Sequence, residues 1–398
     1  MASFSVSFLG CKVSQTDAQA LRERLVRDGH REVEGRGDVA VVNTCCVTNE
    51  GLAKSRQAAS RAARTHARVY VTGCGARLSD TAFAGLPANV TVVAGQIEQA
   101  VEAVAGDVGA IGCVQAAARL DRVRAFVKIQ DGCSFACAFC VIPLVRGATR
   151  SRSADAVLGE IRRRVAQGHR EIVLTGVNLG CFRDRVAGHT LASLIRAAGA
   201  IEGVERLRLS SIEINHVDAE LVAALRETPV VGPHLHVPLQ SGDDGVLRAM
   251  SRRYSVATYL RKLEPLDDFN LTADVIVGFP AEDEPAFERT LETVRAARLT
   301  KVHVFPYSPR PGTRTAAEDT VPPEVKKDRS ARLRALSDDA CRARWAGKVG
   351  RDDVVLVDRP GRGYGADYSP WLVDGPLGEL VRVTGRAVTK EGILADVA

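Results

Sequence analysis

Cys133-Ser-Phe-Ala-Cys137-Ala-Phe-Cys140 places three thiols within eight residues, and residues 125–129 just before it read as a buried strand. In folds built of alternating strands and helices, reactive groups sit on the loops at the carboxyl ends of the strands. This loop therefore decides where the chemistry lies. Three thiolates can hold three irons of a 4Fe–4S cluster, which leaves the fourth iron without a ligand from the motif. An open coordination position separates a reactive site from a closed structural one. A structural zinc would want a fourth Cys or His close by. None occurs between Cys140 and His169, and the next cysteine is Cys181. Structural zinc and a simple electron-transfer cluster are the weaker readings.

Five further strand signals follow the motif, at residues 171–175, 206–209, 235–237, 272–277 and 301–305. Helical patterns separate them, for example at 154–167, 191–200 and 284–297. Six β/α units predict a partial or open barrel. Upstream, residues 3–9, 39–42, 69–72 and 90–93 read as strands. Helical stretches at 16–28, closed by Gly29, and at 50–64 lie between them, which predicts a parallel α/β sheet. Cys11, Cys45 and Cys74 each fall just after one of these strands, so they can meet at one edge of the sheet. A Gly- and Ala-rich stretch at 103–118 reads as a linker. A basic helix at about 323–346 leads to short strands at 354–357, 371–373, 380–384 and 387–388, as in a small β-barrel. The expected class is thus α/β with three domains: residues 1–115, 119–340 and 345–398.

The bulk numbers agree with a soluble chain of more than one core: 398 residues, 45% hydrophobic and 26% charged. No apolar run approaches the roughly 20 residues that cross a bilayer, and the opening residues read as a strand, not a signal peptide. The expected location is cytoplasmic, where ten cysteines point to metal binding or catalysis and not to disulfides. The net charge of +6 permits a nucleic-acid partner without demanding one. Residues 119–170 hold eleven Lys/Arg against four acids, so the motif sits in a positive stretch. Arg146, Arg150 and Arg152 follow the motif and could meet phosphates, the alternative being local acids or a cofactor carboxylate. Residues 51–70 hold five basic residues and no acid, with Arg61, Arg64 and Arg68 at helical spacing. A solvated helix face is the plain alternative there.

With Phe139 before its last cysteine, the motif resembles that of the radical S-adenosylmethionine superfamily. The resemblance implies that the open iron binds the cofactor's amino and carboxylate groups and that an electron splits the sulfonium to give a 5′-deoxyadenosyl radical. It assigns cofactor contacts to Phe139, to Gly176 and Asn178, to Glu213 and Gln240, and to Asp274 of Asp274-Val-Ile-Val-Gly-Phe-Pro. Leu9-Gly-Cys-Lys-Val, Val42-Asn-Thr-Cys-Cys-Val-Thr and Val71-Thr-Gly-Cys-Gly-Ala together resemble the amino-terminal domain of the methylthiotransferases. That likeness implies a second 4Fe–4S cluster on Cys11, Cys45 and Cys74, bearing the sulfur that is inserted. A second S-adenosylmethionine would supply the methyl.

The resemblance runs over nearly the whole chain. It takes in Lys128-Ile-Gln-Asp-Gly-Cys, Arg150-Ser-Arg, Leu209-Ser-Ser-Ile-Glu, His234-Leu-His-Val-Pro-Leu-Gln-Ser-Gly and Pro306-Tyr-Ser-Pro-Arg-Pro-Gly-Thr. The tail looks like the RNA-binding β-barrel called TRAM, although residues 341–398 are nearly neutral, with nine basic and eight acidic residues. Tyr364, Tyr368 and Trp371 could stack on unpaired bases or fill the barrel core, and for Trp371 the core is expected.

Gly10-Cys-Lys-Val-Ser-Gln and Val304-Phe-Pro-Tyr-Ser look most like the branch that adds a methylthio group to carbon 2 of N6-threonylcarbamoyladenosine, beside the tRNA anticodon. The isopentenyladenosine branch is the runner-up. The branch acting on a ribosomal-protein aspartate tends to carry an acid where Arg310 stands. The implied partners are the tRNA anticodon loop and an electron donor such as flavodoxin or ferredoxin, and a monomer is expected. Ser14, Gly75-Ala-Arg77 and the doubled Cys45-Cys46 depart from the family pattern. Alignment of Asn-Thr-Cys selects Cys45 as ligand. Cys113, Cys181 and Cys341 read as packing residues.

Overall fold

In the computed structural model, residues 1–78, 80–110 and 123–397 are described. Val39, Ala40, Val41 and Val42 are all buried, so their strand must be covered on both faces. It lies at the centre of an all-parallel sheet ordered Arg31–Glu32, Ser3–Phe8, Gly37–Thr44, His66–Gly73 and Val90–Val92. Leu21, Leu25 and Val26 of the helix Lys12–Arg27 and Ile97 and Val104 of the helix Ile97–Val108 cover one face. Ala59 of the helix Asn49–Ala62, together with Phe83, covers the other.

Three upstream expectations need correction. The first helix starts at Lys12, not Thr16, with Cys11 at its N-cap and no side-chain cap bond, so the usual sequence signal is missing. Residues 103–108 are not linker. They complete the helix Ile97–Val108, because Val104 and Ala105 are buried and outweigh the Gly and Ala content. The rest of that stretch lies outside the described residues from 111 onward, Cys113 with it. Finally, the second helix ends at Ala62 and Arg68 lies in the strand His66–Gly73, so Arg61, Arg64 and Arg68 do not share a helix face.

The central region holds two parallel three-stranded sheets. One contains Ala125–Lys128, Glu171–Thr175 and Arg206–Leu209; the other contains His234–His236, Asn270–Val277 and Lys301–Pro306. Bridges Leu207↔Val231 and Ser211↔His236 join them into six parallel strands in sequence order, an open barrel. Val127, Ile172, Leu207, Leu235 and Val275 belong to its continuous core.

After the helix Pro323–Ala346 the tail forms a closed five-stranded barrel of Asp352–Arg359, Arg362–Tyr364, Pro370–Leu372, Ile393–Val397 and Leu380–Val388. The two strands read at 380–384 and 387–388 are one, with a register shift between Gly385 and Ala387. Trp371 is 1% exposed in the tail core. Tyr364 and Tyr368 do not offer an open stacking surface. Their rings lie 4.8 Å apart, and Arg124 Nη1 donates to Tyr368 Oη at 2.8 Å. Arg208 donates to the carbonyls of Gly365 and Ala366 at 2.7 and 2.9 Å, and Arg206 to that of Val354 at 2.6 Å. The tail thus closes the amino-terminal end of the barrel. Among the described residues no helix is long and apolar enough to cross a membrane.

Candidate functional site: two thiol triads across a domain junction

The first triad is built by the loops after three strands. Cys11 caps a helix, Cys45 follows Gly37–Thr44, and Cys74 opens the short helix Cys74–Leu78. Gly10 lies at φ +121°, and a Cβ there would come within 3.1 Å of Cys45 Sγ, so the missing side chain lets the two loops close. The Cys45 thiol is pushed up chiefly by burial and then by the nearness of Cys11 and Cys74. Cys46 senses Cys74 and Cys45, is fully buried, and packs with Val141 and Val145. A hydrogen bond to Cys46 and the nearby Arg146 guanidinium lower the Cys74 thiol against the cost of burial, and the proton stays on Cys46.

The second triad begins after Gln130–Asp131. Gly132, at φ +69°, turns the chain where a Cβ would overlap the Ala148 carbonyl, and Cys133 N–H then donates to the Gly147 carbonyl at 3.0 Å. Burial pushes up the Cys133 thiol and takes Cys140 to about 12. Arg252 Nη1 lies 3.3 Å from Cys137 Sγ, and its Nη2 lies 3.3 Å from Glu213 Oε1. All six thiols are free, and each is set close to the others of its triad. Soft thiolates in threes, with no fourth protein ligand supplied by either motif, suit 4Fe–4S clusters that keep one open iron.

Arg146, expected at the RNA surface, is instead the bolt between the triads. It is 3% exposed. Its Nε donates to Cys74 Sγ at 3.1 Å, Nη1 to Asp131 at 3.0 Å and Nη2 to Asp17 at 2.9 Å. Lys128 completes the network at 2.7 Å from Asp17 and 3.1 Å from Asp131. Burial alone would raise Asp131, but Lys128 and Arg146 outweigh it and hold the carboxyl at about 2. Arg152 is half-buried and pairs with Glu160 at 2.6 Å, whereas Arg150 stays exposed, bonded to Gln96 at 3.0 Å.

A cavity of about 170 Å³ lies where the first domain meets the barrel, with Cys140 in its wall. Val47 and Thr48 of the first domain line one side, and Phe139, Cys140, Gln240, Asp274 and Arg310 line the others. Gln240 stands at φ +67°, and Phe139 meets Phe279 edge to face at 6.5 Å. Asp274 Oδ1 lies 3.3 Å from His236 Nε2. Gly176 and Asn178 are not in this lining. They sit over Gln130, whose Oε1 accepts from Asn178 N–H at 2.9 Å, and Asn178 Oδ1 is buried without a partner among the described residues. Glu213 is held beside Cys137 through Arg252.

Sequence reasoning missed Arg252, Asp17 and Lys12, because no spacing marks a lone charge that folds inward. Cys181 is partly buried, with Sγ 3.4 Å from His216 Nε2, and Cys341 donates to the Thr300 carbonyl at 3.0 Å.

Residues 127–294 match the radical SAM superfamily and residues 3–95 match the uncharacterized protein family UPF0004. A threonylcarbamoyladenosine tRNA methylthiotransferase of Bacillus subtilis is 38% identical, covering 85% of this chain and 81% of its own. The corresponding Thermotoga maritima protein is 32% identical, with 99% and 97% covered. A tRNA-2-methylthio-N(6)-dimethylallyladenosine synthase of Paracoccus denitrificans is 34% identical, with 94% and 92% covered. Among solved structures, the radical S-adenosylmethionine methyltransferase TsrM of Kitasatospora setae shares the fold with a TM-score of 0.59 at 13% identity, over 90% of this chain and 78% of that one. By its sequence relatives over nearly full length, with both thiol triads in place, the chain belongs to the radical S-adenosylmethionine methylthiotransferase family.

Proposed function

We propose that this chain is a tRNA methylthiotransferase that adds a methylthio group to carbon 2 of N6-threonylcarbamoyladenosine beside the anticodon. The observation that carries the reading is the pair of thiol triads brought to one domain junction, where Arg146 bonds both Cys74 and the Asp131 that leads into Cys133. The named activity of the Bacillus subtilis and Thermotoga maritima relatives supports the substrate. An unpaired anticodon-loop base is accessible without opening a duplex, which suits a cavity at a domain junction.

In this reading Cys133, Cys137 and Cys140 would hold one 4Fe–4S cluster, and Cys11, Cys45 and Cys74 the other. When bound, the clusters and S-adenosylmethionine would supply the electron, the carbon radical and the methylated sulfur. The protein's own residues position and shield these groups. Arg252 fixes Cys137 and Glu213 relative to each other. Arg146 holds Cys74 against the barrel. Val47, Ile142, Ile276 and Phe305 give the cavity apolar walls that exclude water from a reactive carbon. Phe139, Gly176, Asn178, Glu213, Gln240 and Asp274 are the proposed cofactor contacts, and Arg150, with Arg152 behind it, the proposed phosphate contact. The proposed division is residues 1–115 for the sulfur-bearing cluster, 119–340 for the radical and 345–398 for RNA. A monomer acting in the cytoplasm on tRNA, reduced by a flavodoxin or ferredoxin, completes the proposal.

The test is anaerobic. Protein reconstituted with iron and sulfide is given reductant, S-adenosylmethionine and tRNA bearing either N6-threonylcarbamoyladenosine or N6-isopentenyladenosine, and the nucleosides are read by mass spectrometry. The proposal expects a methylthio nucleoside from the first tRNA, with 5′-deoxyadenosine formed alongside. Product from the isopentenyl tRNA alone would move the chain to the activity named for its Paracoccus denitrificans relative.

A further inference from the structure

Lys12 follows Cys11 directly and opens the helix Lys12–Arg27. Its side chain leaves the first domain and enters the open barrel, where the ammonium lies 5.9 Å from the centre of the Tyr368 ring. Arg124 and Arg208 stand close to it at the base, and His234 and His303 on the walls. His303 is the cross-strand partner of Asp274, which lines the cavity at the domain junction. The ammonium therefore lies among the barrel strands that also carry one wall of that cavity.

Among the described residues Lys12 has no ion pair and no hydrogen bond from its ammonium. The acid near it, Glu171, is already held by Arg206 at 3.3 Å and by Arg208 at 3.0 Å. Other lysines whose ammonium turns inward differ. Lys128 sits on Asp17 and Asp131, and Lys326 on Asp319. An ammonium drawn out of water without a counter-charge is costly, and here Lys12, Arg124 and Arg208 gather around one tyrosine ring. The arrangement is balanced when an anion arrives with the ligand.

We propose that Lys12 is the specificity-determining residue of this site: its ammonium pairs with the carboxylate on the N6 side chain of the substrate base. The inference rests on the function proposed above. Carbon 2 and carbon 6, which bears N6, flank the same ring nitrogen of adenine. A base that presents carbon 2 to the junction of the triads directs its N6 arm into the adjoining space, and Lys12 is one residue from Cys11. The threonylcarbamoyl arm ends in a carboxylate, whereas an isopentenyl arm is hydrocarbon and would leave the ammonium unpaired. A site built around such a pair rejects the analogue that lacks the charge.

The test uses the reconstituted holoenzyme and two forms of one tRNA, with the threonyl carboxylate free or converted to its amide. For the native protein, amidation should lower kcat/KM on the order of 10²-fold, the scale of removing one partner from a buried charge pair. Lys12→Met should lose a similar factor on the free acid and nothing further on the amide. Lys12→Arg should keep most of the preference for the acid. Iron and sulfide content should match the native protein in both variants. A native enzyme indifferent to amidation would overturn the role of Lys12 without reference to any variant, and so would a Lys12→Met enzyme that still prefers the acid by the native factor. Failure of the native enzyme on the free acid, with turnover of isopentenyl tRNA, would instead remove the function on which the inference rests, and the inference with it.

Discussion

Arg146, Cys45 and Cys46 show what single residues decide here. Arg146 is an arginine in a positive stretch, and charge alone suggests a phosphate contact; the fold instead turns it inward onto Asp17, Asp131 and Cys74. Nothing in local spacing could reveal this, because Asp17 and Cys74 come from distant parts of the chain. Arg146→Ala should destabilise the protein by about 3–5 kcal/mol, as expected when one member of a buried ion network is removed, and chemical denaturation measures it. The doubled cysteine could not be resolved by pattern except through alignment of Asn-Thr-Cys. In the structure Cys45 lies near both Cys11 and Cys74, whereas Cys46 bonds to Cys74 and otherwise packs against Val141 and Val145, with Cys11 not among its neighbours. Cys46→Ala should therefore keep both clusters in an iron assay after reconstitution, and Cys45→Ala should lose one. Equal iron loss in the two variants would count against this choice.

At the scale of elements, central strands such as Gly37–Thr44, Glu171–Thr175 and Asn270–Val277 were legible because they hold apolar runs buried on both faces. The tail strands were harder. Arg362–Tyr364 has three residues and Ile393–Val397 is partly exposed, so neither carries a clean pattern. The turn at Gly132 also escaped notice, since a positive φ leaves no trace beyond the glycine itself. Gly132→Ala should displace the loop that begins with Cys133 and sharply reduce cluster loading at Cys133, Cys137 and Cys140, read as lost 5′-deoxyadenosine formation with normal overall helicity.

The loop joining tail to barrel supplies a pH-dependent prediction. Burial would raise the Asp367 carboxyl, but Lys348 at 3.1 Å and Arg344 at 2.8 Å outweigh it and hold it below its ordinary value. A depressed carboxyl contributes stability that is fully present above the unfolded value of about 3.9 and is lost as pH falls through the lower folded value. Asp367→Asn should therefore speed amide exchange in residues 365–369 at neutral pH. The difference from the native chain should shrink once the pH drops below about 4.

Across the whole molecule, the family was readable from strand-end cysteines and the small tail barrel from short strands with Gly-rich turns, but the way the parts lock together was not. The tail seals the base of the barrel through Arg124, Arg206 and Arg208, and the first domain is held at the carboxyl-terminal mouth through Arg146. These contacts join residues more than a hundred positions apart, which a one-dimensional pattern does not encode. Their consequence is that both triads lie at one domain junction, beside a small cavity lined by Val47 and Thr48 of the first domain and by Cys140. In the proposed function the two triads do different work in one reaction. The most direct test is a paired anaerobic assay of Cys133→Ala and Cys45→Ala with S-adenosylmethionine and N6-threonylcarbamoyladenosine tRNA, following 5′-deoxyadenosine and the methylthio nucleoside together. The account predicts neither product from Cys133→Ala, and 5′-deoxyadenosine without the methylthio nucleoside from Cys45→Ala. Normal methylthio transfer by Cys45→Ala would contradict it.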